Sequence, residues 1–122
     1  MLYRPGDDVG PLDDWYFDFA ESGYRFFCGV PRASGRLDAG GPGHVTRSGI
    51  WRCTAGTFEC TEQGDELMIL LRGRCCITDH ATGETGSLEA ADTYMIRDGT
   101  RVTWDIQEDV TKVFFAHKAG GY

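Results

Sequence analysis

The sequence predicts an all-β domain, either a closed barrel or a two-sheet jelly roll. Three observations predict it. Helical periodicity is scarce along the 122 residues, seventeen glycines fall at turn-like intervals, and the runs between them are short. Those runs are rich in β-branched and aromatic residues, the pattern of strands bounded by turns. The length suits one domain, and the apolar content is enough to bury a core.

Taken in order, Trp15, Phe17 and Phe19 alternate with Tyr16 and Asp18, which predicts a first strand with one apolar face. Glu21-Ser22-Gly23 reads as a turn and 24–30 as a second strand. Residues 31–43 hold Gly35, Gly40, Gly41 and Gly43 with Pro31 and Pro42, the composition of a flexible loop. Strands are then expected at 44–53, 57–61, 66–71, 74–79, 93–97, 101–107 and 111–117. Ala55-Gly56, Arg72-Gly73, Thr82-Gly83 and Asp98-Gly99 mark turns. Glu108-Asp109 is expected at a hairpin tip and 119–122 as a frayed tail.

Composition excludes several classes. A net charge of −7 argues against nucleic acid, which requires a basic footprint, and against anionic membrane surfaces. No apolar run approaches the roughly 18 residues of a membrane span. The N-terminus has no signal-peptide pattern, so a cytoplasmic location is expected. Five cysteines (Cys28, Cys53, Cys60, Cys75, Cys76) form no Cys-x-x-Cys pair. An odd count predicts buried, reduced thiols and neither a disulfide framework nor a zinc ribbon.

The most informative stretch runs from Gly56 through Cys60, Glu62 and Glu66 to Gly73. A second block, from Leu88 through Ala91-Asp92 and Gly99 to Trp104, repeats its rhythm and leads to Lys112-Val113-Phe114. Together they resemble the two motifs of the cupin superfamily. Glu66-x6-Gly73 matches the second half of the first motif, and nine residues separate Gly56 from Glu66, two fewer than the shortest usual form. That spacing, with Trp51-Arg52-Cys53-Thr54-Ala55-Gly56-Thr57-Phe58, resembles the cupin 3 branch of EutQ-type and ureidoglycine aminohydrolase-like cupins. The resemblance implies a double-stranded β-helix jelly roll, with residues 46–118 as the barrel and 1–45 as N-terminal strands and glycine-rich loop of the same domain.

The resemblance also implies a histidine metal site, and here the sequence departs from it. The histidine positions of the first motif fall on Cys60 and Glu62, or on Thr61 and Glu59, and that of the second on Val102. Neutral imidazoles converging from rigid strands are what binds a first-row metal, and valine offers none. No cofactor is therefore expected. The open alternative is a thiolate–carboxylate set of Cys60, Glu62 and Glu66 holding zinc, iron or manganese. His44, His80 and His117 are scattered and read as three separate surfaces.

If Val102 faces inward, alternation carries Trp104 and Ile106 with it. By the same rule Glu66, Met68 and Leu70 share a face, as do Tyr94 and Ile96, and Lys112, Phe114 and Ala116. One consistent assignment lines an interior with Glu66, Met68, Tyr94, Trp104, Lys112 and Phe58. Its two opposite charges need each other or a ligand, because an unpaired buried charge is costly. Glu66 is the first candidate for acid–base catalysis.

Crowded aromatic residues in the first quarter of the chain predict a homodimer through the N-terminal strands, since strands apolar on both faces need covering on both. The leading functional expectation is a small-molecule-binding cupin without the usual histidine metal site. The alternatives are a metal-dependent cupin enzyme (aminohydrolase, isomerase or lyase type) with the Cys/Glu set, and a non-catalytic regulatory or assembly subunit.

Overall fold

The computed structural model describes residues 1–17 and 20–122. Among them there is no helix. Nine strands follow in order: β1 (Asp13–Trp15), β2 (Arg25–Cys28), β3 (Ala33–Gly40), β4 (Thr46–Cys53), β5 (Gly56–Thr61), β6 (Asp65–Asp79), β7 (Thr85–Leu88), β8 (Thr93–Ile96) and β9 (Arg101–His117).

The two longest strands organise the rest. β6 pairs antiparallel along nearly the whole of β9, from Asp65 opposite His117 to Asp79 opposite Val102. The first half of β9 also pairs with β5, and its second half with β4. Two leaves result. One carries β1, β3, β4, the second half of β9, the first half of β6 and β8; the other carries β2, β5, the first half of β9, the second half of β6 and β7. Their inner faces meet in one core that includes Phe58, Met68, Leu70, Ile77, Val102, Trp104 and Ile106. This is an all-β jelly roll.

Alternation places the expected residues inside. Glu66, Met68 and Leu70 are buried, as are Val102, Trp104 and Ile106, and Lys112, Phe114 and Ala116. Of the cysteines, Cys53, Cys60 and Cys75 are buried, Cys76 is half-buried and Cys28 is exposed.

Several expected elements are corrected. Residues 31–43 are not a flexible loop: Ala33–Gly40 is strand β3, paired with β1 and β4. Its glycines serve close approach. A Cβ on Gly35 would lie 2.6 Å from the Trp15 ring and 2.6 Å from the Ile50 carbonyl. Arg72-Gly73 and Glu108-Asp109 are not hairpin turns either, because each lies inside a continuous strand. They oppose one another where the β6–β9 register shifts, and there the ladder bends from one leaf into the other. Strand β7 was not foreseen in the sequence. The tail is not frayed: Tyr122 N–H donates to the His44 carbonyl at 2.9 Å, and Gly43 N–H donates to the Tyr122 carbonyl at 3.1 Å.

The first strand is shorter than its alternation suggests, ending at Trp15, and Asp18 and Phe19 lie outside the described residues. Trp15, Phe17, Tyr24 and Phe26 pack against the chain's own core. Phe17 meets Tyr24, Phe26 and Phe58 edge-on at centroid distances of 4.7, 5.0 and 5.6 Å. These four rings are half-buried against the chain's own core, whereas Tyr16 and Phe27 are exposed. Exposed apolar side chains gather elsewhere, on the outer face of β6, β8 and β9, where Leu67 stands opposite both Met95 and Phe115.

Gly73 has φ +86°, and a Cβ there would lie 2.2 Å from the Asp109 carbonyl oxygen. Gly73→Ala is expected to lower unfolding stability by about 2 kcal/mol or more, from backbone strain and this collision. Urea denaturation checks it, and a loss under about 0.5 kcal/mol would show that the bend does not depend on this glycine.

Candidate functional site

Between the leaves lies a cavity of about 870 Å³, lined from both. β4 supplies Arg47 and Trp51, β6 supplies Glu66, and β9 supplies Trp104, Lys112 and Phe114. β5 supplies Phe58 and Cys60, and Glu62 follows one step beyond it, still tied by Glu62 N–H to the Thr100 carbonyl at 2.9 Å. Trp15, Phe17 and Tyr24 close one side, and Tyr122 of the tail closes another.

The register explains the arrangement. Directly opposed residues share a face, so Trp51 stands beside Lys112, and Arg47 stands in one row with Ala116 and Glu66. Lys112 Nζ reaches Glu66 Oε2 at 2.6 Å, and both side chains are almost wholly buried. The ammonium also lies 4.6 Å from the Trp51 ring centroid and 4.9 Å from that of Trp104. Desolvated cation–π contacts of this kind supplement the ion pair. Trp51 and Trp104 are 5.3 Å apart, and Phe58 lies nearly parallel to Trp104.

Four of the six residues expected to line the interior do so: Phe58, Glu66, Trp104 and Lys112. Met68 and Tyr94 do not. Met68 is sealed in the core, and Tyr94 sits on β8 at the far side of β6. Sequence reasoning did not single out Arg47, Trp51 or Tyr122. The inward parity of β4 is readable only once its pairing with β9 is known.

Glu66 is engaged by Lys112, so the carboxyl that carries a proton in the cavity is another one. Burial, and then the like charge of Glu66, push Glu62 up to about 8. Lys112 and Arg47 pull the other way and are outweighed. At neutral pH Glu62 is therefore largely a neutral acid, able to donate a hydrogen bond or a proton. Burial also pushes the Tyr24 hydroxyl well above its ordinary range.

The metal implied by the family motif does not fit these residues. Among the described residues no three His, Cys, Asp or Glu side chains come together to hold an ion. Burial, followed by Glu62, pushes the Cys60 thiol up to about 12, away from the thiolate a metal requires. Val102 is buried, and His44, His80 and His117 are all exposed. His80 Nε2 instead lies 2.7 Å from Thr103 Oγ1 on the outside of the sheet.

Fold and cavity together define a jelly-roll domain with an open cavity of mixed aromatic and charged lining around a buried ion pair. Residues 40–114 match the EutQ-like cupin domain, and the chain belongs to that family. The EutQ protein of Clostridium difficile is 14% identical with a TM-score of 0.61, over 74% of this chain and 71% of that one. A Rhizobium leguminosarum protein of unknown function is 19% identical with a TM-score of 0.61, over 70% and 81%. A Pseudomonas syringae protein of the DUF861 family, also of unknown function, is 19% identical with a TM-score of 0.71, over 89% of this chain and 45% of that one. At these identities the likeness is one of fold. No curated protein matches the chain. No helix is long and apolar enough to cross a membrane among the described residues.

Two outcomes follow from the charges. Lys112→Met leaves Glu66 buried without its partner and is expected to cost about 3–5 kcal/mol, whereas Lys112→Met with Glu66→Leu recovers most of it. Chemical denaturation of the three proteins decides this, and equal losses in single and double variants would contradict the pairing. Glu62 provides a pH test. Its folded value lies above the ordinary 4.5, so its protonation favours the folded state. That contribution is full below about pH 4.5 and is lost as pH rises through 8. Relative to wild type, Glu62→Gln should gain stability progressively across this window; a difference between the two that stays constant with pH would refute it.

Proposed function

We propose that this chain is a small-molecule-binding cupin that holds an organic ligand in the cavity without the histidine metal site of its superfamily. The observation that carries the reading is the buried Lys112–Glu66 pair, capped by Trp51 and Trp104 at the wall of a cavity of about 870 Å³. A chamber of that size with aromatic walls and a few convergent polar groups is the usual form of a small-ligand site. The buried pair supports it further. Ion pairs of this kind add little net stability over apolar packing, so their presence beside a cavity favours a role in orienting a bound molecule.

The ligand this reading requires has a flat or compact apolar body. Trp51, Trp104 and Phe58 offer ring faces to such a body. Among the described residues the metal-dependent alternative has no converging donor set on which to stand.

Ligand-detected NMR with a set of aromatic and cycloaliphatic fragments tests the proposal. Binders are expected to quench or shift tryptophan emission and to raise the melting temperature. Trp51→Leu should weaken them roughly tenfold or more, in keeping with loss of a ring contact and its buried area. Trp104→Phe should have a smaller effect in the same direction. Fragments that bind equally well to wild type and to both variants would place binding outside the cavity and sink the reading.

A further inference from the structure

We infer that the end of the cavity formed by Arg47, Glu62 and Tyr122 is a subsite for a carboxylate group, so that the ligand is a small organic acid. This rests on the small-molecule reading above and names its ligand class. Arg47 is fixed by its register: it stands opposite Ala116 on β9, in the row that continues to Glu66 on β6, and it lines the cavity. Its guanidinium carbon lies 4.1 Å from the centroid of the Tyr122 ring. Tyr122 is in turn held by backbone bonds to Gly43 and His44, and its hydroxyl donates to the Gln63 carbonyl at 3.3 Å. Stacking on a fixed ring orients a planar guanidinium fork and leaves its Nε–H unpaired.

One of the guanidinium donors, Nε, lacks an answer among the described residues. Among the described residues Arg47 makes no ion pair, and its Nε is buried with no hydrogen-bond partner. A buried donor left unpaired is costly, and a buried cation more so. A water could accept from Nε but would not balance the charge. The nearby carboxyl does not balance it either: Glu62, which feels the Arg47 charge, is held protonated by burial and by Glu66. Glu66 is already taken by Lys112.

The subsite thus presents a guanidinium with an unpaired Nε–H beside a protonated carboxyl whose O–H can donate. A carboxylate accepts from both, through the two-oxygen geometry that suits arginine. An ammonium head would meet two cations, Arg47 and Lys112, with Glu66 engaged. A doubly charged phosphate would place its second charge against Glu66 and strip the proton from Glu62. With the head at Arg47, the ligand's body extends toward the rings of Trp51, Trp104 and Phe58.

Matched probes test this: phenylacetate, indole-3-acetate and cyclohexanecarboxylate, each against its primary amide and the corresponding amine, titrated by calorimetry and saturation-transfer NMR. The acids should bind roughly tenfold or more tighter than their amides, as a charge-assisted contact to a half-buried arginine requires. Arg47→Met should bring acid and amide level while amide binding persists, which shows that the variant is folded. Arg47→Lys should restore part of the preference. Amides or amines that bind as tightly as the acids, or an acid preference that survives Arg47→Met, would overturn the subsite and leave the cavity reading intact. If no probe binds while other fragments do, the carboxylate assignment alone falls. If neither set binds, the cavity reading falls with it.

Discussion

Lys112 and Glu66 sit on the two longest strands, with 2.6 Å between their charged atoms and almost no solvent around either. Neither tolerates the core alone, so the two strands are held to the one register in which they meet. The contact is diagonal. Glu66 stands opposite Ala116 and Lys112 opposite Leu70, and the lysine reaches along the sheet to close the gap. Everything around the pair is consistent with that reach. Trp51, beside Lys112 on β4, and Trp104, from the other leaf, flank the ammonium and keep water from it. A contact that joins two strands and is sheltered by a third and by the opposite sheet ties register, core and cavity to one another.

The second constraint is the bend. Strands of 15 and 17 residues could not remain in one flat sheet and still enclose a core, because each would expose one apolar face. The bulged crossing of Gly73 and Asp109 lets the same two strands serve both leaves. Trp104 and Lys112 come from one strand and yet approach each other across the chamber. The functional geometry is in this sense a property of the bend as much as of the side chains.

Much of this was legible in the sequence where the information is local. Alternation with period two put Glu66, Met68 and Leu70 on one face, and Val102, Trp104 and Ile106 on another, because a strand's parity needs no knowledge of its partners. Charge and burial alone said that Lys112 and Glu66 need each other or a ligand, and the structure pairs them. What was not legible depends on tertiary contact. Gly35 looks like flexible loop until Trp15 is seen lying where its Cβ would be. Glycine at 73 reads as a turn until Asp109 is found against it. Arg47 and Tyr122 became site residues only through the pairing of β4 with β9 and the docking of the tail. Tyr94 and Met68 share the correct face, but the chamber lies toward β4 and β5, and parity cannot say on which side of a sheet's midline a residue falls.

The chamber's walls are anchored very unequally. β4, β6 and β9 form long ladders with partners on both sides, whereas β1 pairs through three residues and β2 through a four-residue edge strand on β5. Openings of a protein draw on the least-anchored segments first, at free energies well below that of global unfolding. By strand pairing alone, the side that carries β1 and β2 is the one expected to open first. For the proposed ligand, residence time would then depend on that edge. Substitutions that strengthen the β6–β9 ladder would raise the melting temperature and leave that dwell time unchanged.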